Sequence, residues 1–201
     1  GFGSAALPLA APGGRATVLG YGYFTRKGNY MLSFGRSGNY GSRVIDGFTA
    51  QNIAATRSIK GGKFLVAGAG RSRAPGGSEK PQNSFRVARY EADGDLDRSF
   101  GRNGTTTIPA KYEGVALGID LDHRGRILVT GGLCAVNLNC VSNGEITQMV
   151  TVARLHPDGR VDRSFGRGGI VQHRFRANAV GDKLVELRDG RIAVLLTAIC
   201  G

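Results

Sequence analysis

Asp93, Asp95 and Asp97 alternate along the chain as the first ligands of a calcium loop do, which makes calcium the one metal the sequence raises. The glycine and distal glutamate of such a loop are missing from the residues that follow. Asp158 and Asp162 recur at matching places further on, which favours a structural role, with the first aspartate in a turn and the last capping backbone amides. No cofactor is predicted, and calcium stays as the alternative. His123, His156 and His173 lie at no metal-ligand spacing and read as turn or surface residues. No nucleophile elbow, zinc-protease helix motif or Cys-x-x-Cys pair is present, so no residue is put forward as catalytic.

The second kind of chemistry is cationic. The 201 residues carry 27 Lys plus Arg against 15 Asp plus Glu, a net charge of +12, and Arg supplies 21 of those cations. Guanidinium groups hold phosphate or carboxylate in a bidentate way, so acidic partners are drawn to such a chain. Two series recur. Arg15, Lys63, Arg126 and Arg191 each follow a glycine turn, and Arg36, Arg102 and Arg167 each follow a Phe-Gly pair. If all seven share one face they form a basic rim for an acidic polysaccharide, a lipopolysaccharide phosphate or an acidic protein. The competing reading is that they pair with Asp97, Asp122, Asp162 and Asp189 in surface salt bridges of small value. Zero Trp and the lack of aromatics between basic residues leave no stacking platform, so nucleic acid is disfavoured.

These residues are positioned by a repeat. Ser33-Phe34-Gly35-Arg36 recurs at Ser99 and Ser164, at spacings of 66 and 65 residues. Ahead of the later copies run Val87-Ala88-Arg89-Tyr90 to Asp93-Gly94, and Val152-Ala153-Arg154-Leu155 to Asp158-Gly159. Alternating apolar positions that end in Asp-Gly mark hairpins. Gly is 33 of 201 residues, and no interval shows a 3.6-residue period, so the chain is predicted to be all-β. Each period reads as four antiparallel strands: one before the glycine turn, one after it, one leading to Asp-Gly, and one after Ser-Phe-Gly. Four strands at a fixed period is the pattern of β-propeller blades.

The Ser-Phe-Gly-Arg-x-Gly motif, the Ala-Arg-(Tyr/Leu)-x-x-Asp-Gly run before it and the stretch Gly125-Arg126-Ile127-Leu128-Val129-Thr130-Gly131 together resemble the delta-sixty repeat family. These are bacterial β-propeller repeats largely without an assigned activity. The resemblance weakens in the first copy, where Lys27 and Met31 stand at the aspartate positions. Blades are expected at about 4–45, 51–109 and 114–175, with half of a fourth at about 178–201. Phe34, Phe100 and Phe165 are expected to be plugs between blades.

Three and a half blades make an arc with open strand edges, fewer than the four to eight of closed propellers. Cys134 and Cys140 are expected in the loop between the second and third strands of the third blade, close enough for a small disulfide ring. Cys200 falls at the matching place in the fourth repeat, so its partner is expected beyond Gly201, on a second fragment or chain that completes the propeller. Disulfides imply export to the periplasm, the cell surface or the medium; three reduced cysteines are the alternative. No apolar run approaches the ~18 residues of a membrane span. The expected function is a non-catalytic binding scaffold, working through its basic face and the insertions at 71–83 and 134–148. The alternative is a piece of a propeller enzyme whose channel site is completed by residues outside this chain.

Overall fold

The computed structural model describes residues 9–11, 15–18, 22–24, 30–31, 53–72, 82–92, 95–108, 113–134, 141–142, 145–146, 148–175 and 179–198. Among them there is no α-helix; one 3-10 turn spans Lys60–Gly62. The first sheet holds β1 (Leu9–Ala11), β2 (Arg15–Val18), β3 (Gly22–Phe24) and β4 (Tyr30–Met31) in that order, all antiparallel. The second holds β5 (Ile53–Ser58), β6 (Phe64–Ser72), β7 (Gln82–Tyr90) and β8 (Thr105–Thr107), again in chain order.

The third sheet repeats the plan with β9 (Glu113–Leu121), β10 (Ile127–Cys134), β13 (Gln148–Leu155) and β14 (Ile170–His173). Between β10 and β13 the insertion folds into its own small hairpin, β11 (Val141–Ser142) with β12 (Glu145–Ile146). A two-stranded sheet of β15 (Ala179–Glu186) and β16 (Ile192–Ala198) ends the described chain. The protein is thus all-β, a partial β-propeller of four-stranded antiparallel blades.

The central strands are apolar on both faces because sheets cover them on both sides. Phe64, Leu65, Val66 and Ala67 on β6, and Ile127, Leu128 and Val129 on β10, are all buried. Leu65, Ala67, Phe85, Val87, Phe100 and Ile108 from the second blade pack with Ala116, Ile127, Val129, Ala153 and Leu155 from the third in one core. A smaller core of Leu128, Val152 and Leu184, with Phe165, Ile192 and Val194 against it, lies between the third blade and β15–β16. The consecutive first strands β5, β9 and β15 approach one another while the fourth strands β8 and β14 do not, so the first strand is the inner one. β5, β9 and β15 each carry a β-bulge at the same place, which leaves Ala54, Leu117 and Asp182 without a residue opposite.

The Phe24–Tyr30 pair that starts β4 matches the bridges Tyr90–Leu96 and Leu155–Val161 of the later blades; the strand expected after Ser33-Phe34-Gly35 lies outside the described residues. One expectation changes. Cys134, expected in a loop, is the last residue of β10, opposite Glu113 and Gln148. The strand runs past Thr130 because β9 and β13 are both long enough to pair with it throughout.

Candidate functional site: the aspartate-anchored turns

The residues singled out by the repeat meet at one end of the blades, where the turn between first and second strands lies beside the connection from third to fourth. In the second blade Asp97 is the hub. Its Oδ1 accepts from the Ser99 amide (3.0 Å) and hydroxyl (2.6 Å), and its Oδ2 accepts from Arg89 Nε (2.7 Å) and Lys63 Nζ (2.8 Å). Lys63 also donates to Glu91 at 2.8 Å. The capping role read from the sequence is therefore present, and the carboxylate is almost completely buried, 4% exposed.

Asp162 repeats the arrangement in the third blade. It accepts from the Ser164 amide (3.1 Å) and hydroxyl (2.5 Å) and from Arg154 Nε (2.7 Å), with Arg126 Nη1 at 3.7 Å. In both turns the guanidinium that reaches the aspartate also lies over the ring of the following phenylalanine, Arg89 over Phe100 at 4.9 Å and Arg154 over Phe165 at 4.5 Å. Carboxylate, guanidinium and ring thus form one locked unit.

The electrostatics follow from these partners. Burial pushes the Asp97 carboxyl up, but the bonds from Lys63, Ser99 and Arg89 outweigh it and hold it well below the usual range. For Asp162 the Ser164 hydroxyl is the largest cause; with Arg154 it brings the pKa down to about 2 against the opposing effect of burial. Asp97 in turn raises Lys63. Groups held this firmly in their charged forms are poor acids and bases, which suits a structural clasp better than proton transfer.

The seven cations expected on a basic rim divide into groups. Lys63 is bound to Asp97 and Glu91, Arg126 donates to Asp122 at 2.5 Å, and Arg191 donates to Asp189 at 2.7 Å. These three carry the ion pairs of the competing reading. Arg102 and Arg167 are exposed, and their amides close the turn onto Thr105 and Ile170 carbonyls at 2.7 and 2.8 Å. Arg15 opens β2 with its side chain outside the described part, and Arg36, Cys140 and Cys200 lie outside the described residues altogether.

The turns also join blades. Gly101 donates its amide to the Asp158 carbonyl (2.8 Å), the Thr106 hydroxyl donates to the Gly159 carbonyl (2.7 Å), and Arg89 Nη1 donates to the Pro157 carbonyl (2.8 Å). Phe100 is completely buried in this seam. Residues 61–100, which run from the glycine turn to that phenylalanine, match a family model. It is described as a domain of unknown function (DUF5122) beta-propeller. No curated protein matches the chain. The β-propeller match thus covers the second and third strands of one blade together with the Asp97 clasp.

Several contacts of the propeller repeat are not visible in sequence. Glu186 on β15 accepts from the His123 amide at 2.6 Å and lies 2.7 Å from His123 Nδ1, which ties the third blade to the last sheet. Arg57 on β5 meets Asp120 on β9 at 3.0 Å along the inner strands. Arg98 and Arg163, which follow the hub aspartates, are exposed like Arg102 and Arg167. A reading confined to the Ser-Phe-Gly motif missed them, although they sit at the same repeat position. Among the described residues no three metal-ligating side chains converge, and no helix is long and apolar enough to cross a membrane.

Proposed function

We propose that the protein is a non-catalytic, exported bacterial β-propeller of the delta-sixty repeat type, a binding scaffold whose last sheet is completed by a hairpin of the repeat's own pattern on another polypeptide. The observation that carries this is the state of that sheet. Among the described residues β16 pairs only with β15, and the exposed large apolar side chains are Val171 and Phe175 beside it and Val185, Leu187 and Leu195 on or next to it. An apolar groove of about 480 Å³, lined in part by Val152, Phe165, Val171, Ile192 and Val194, runs along it.

The polar groups around the groove specify the occupant. Arg191 stands where Lys63 and Arg126 stand in the complete blades. Both of those reach the hub aspartate of their own third-to-fourth connection, whereas Arg191 is paired, among the described residues, with its neighbour Asp189. An incoming strand of the Ala-Arg-(Tyr/Leu) type, followed by Asp-Gly and a hub aspartate, supplies that carboxylate and fills the groove with its alternate apolar residues. Export rests on the cysteines: Cys134 ends β10 at the mouth of the insertion that contains Cys140, and Cys200 is assigned a bond to the completing segment.

Native mass spectrometry of the protein from its own cells, before and after reductant, tests this reading. A complex with a second polypeptide that bears the hairpin pattern and separates on reduction is expected. A lone chain with three free thiols overturns both completion and export.

A further inference from the structure

We propose that the outer turns of the second and third blades, through Arg98 with Arg102 and Arg163 with Arg167, form a binding site for a linear anionic polysaccharide. This does not depend on what completes the last sheet. The four arginines are exposed, and no ion pair engages any of them among the described residues. Three nearby carboxylates are already committed: Asp97 to Arg89 and Lys63, Asp162 to Arg154, and Asp158 to Arg160 at 2.7 Å. Three cations of the inner turns are also paired, Lys63 with Asp97 and Glu91, Arg126 with Asp122, and Arg191 with Asp189. What sets the outer turns apart is that each carries two exposed arginines on one short turn.

These turns are rigid presenters. Phe100 and Phe165 donate their amides to the hub carbonyls at 3.0 and 3.1 Å, and Gly104 and Gly169 donate to the phenylalanine carbonyls at 2.7 and 2.8 Å. Each turn therefore holds two arginines four residues apart on a fixed backbone. The seam bond from Gly101 to Asp158 sets the second blade's turn against the third blade's connection. Two like pairs on adjoining blades match a polymer that repeats its carboxylate or sulfate at regular intervals, and the guanidinium fork accepts either group in a bidentate way. Single-stranded nucleic acid needs aromatic faces beside the cations, but the nearest rings, Phe100 and Phe165, are covered by Arg89 and Arg154.

Titration of the full chain with fluorescent heparin fragments across a salt series, with poly-glutamate and oligo-thymidine as comparison polymers, tests the site. The charge-matched variants are R98Q/R102Q/R163Q/R167Q and K60Q/R124Q/R174Q/R188Q, the second removing exposed cations that are not part of the outer turns. The expected result is about a tenfold or greater loss of heparin affinity in the first variant, from four exposed ion pairs, with a shallower salt dependence. The second should lose no more than about twofold. Equal losses in the two variants overturn the site in favour of net charge alone. Poly-glutamate or oligo-thymidine binding as tightly as heparin overturns the polysaccharide assignment. An unchanged thermal transition in both variants shows that the losses are local.

Discussion

Phe100 and Phe165 occupy the same place in consecutive repeats, yet Phe100 is completely buried and Phe165 is only partly so. Their turns are alike: the same hub aspartate, the same serine, the same arginine over the ring. The difference lies in what each turn docks on. Phe100 is covered by the His156–Gly159 turn of the next blade, and a Cβ on Gly159 would come within 2.8 Å of the ring. Phe165 packs against Leu128, Val152 and Leu184, and no third strand among the described residues brings an Asp-Gly turn over it. A propeller blade is therefore finished by its successor, and among the described residues the first of these seams is closed over its phenylalanine and the second is not.

The largest effect should come from removing the plugs. Phe100→Ala is expected to cost about 4 kcal/mol, and Phe165→Ala about half that, because its site is already open to solvent. Urea unfolding of the two variants measures both, and equal losses would erase the distinction between the seams.

A pair of glycines sharpens the same contrast. Gly159 (φ +89°) and Gly190 (φ +83°) both sit in the left-handed region, but only Gly159 faces a neighbour; nothing lies within 4 Å of a Cβ on Gly190. Gly159→Ala should cost about 3 kcal/mol, from backbone strain plus displacement of Phe100, and Gly190→Ala about 1 kcal/mol from strain alone. Thermal melts of the two proteins compare them directly.

The hub carboxylates should appear in the acid limb of stability. A carboxylate with a lowered pKa stabilises the fold above its ordinary pKa and loses that contribution as pH falls through the lowered one. For Asp162 the window runs from its ordinary 3.8 down to about 2. Asp162→Asn should remove about 2 kcal/mol at neutral pH and flatten the stability profile across that window. A profile as steep as the parent's would mean that the clasp does not hold the third blade's turn.

Much of this architecture was legible because it repeats. The Ser-Phe-Gly copies located the turns, the Ala-Arg runs located the third strands, and the match of Asp97 with Asp162 identified both as caps. The glycine series marked the inner turns without revealing how their cations are used. Lys63, Arg126 and Arg191 look as available in sequence as Arg102 and Arg167, but three of the five are tied to carboxylates. Nor does sequence spacing show that Arg89 lies over Phe100, or that His123 meets Glu186 across a blade boundary. The polar stretch that holds Cys140 points to a loop at Cys134 as well, whereas strand pairing on both sides carries β10 through it.

The periodic part of the protein was readable from the order of its residues: an all-β chain, the order of strands within a blade, and an aspartate cap in the turns of the second and third blades. Those features depend on alternation and on contacts between residues close along the chain, which a repeated motif records. Which strand lies innermost, which seam is closed and which arginines remain free were settled only once the blades were packed together. Each of those depends on distant parts of the chain, and a carboxylate or a carbonyl from 28 to 68 residues away leaves no local pattern to read.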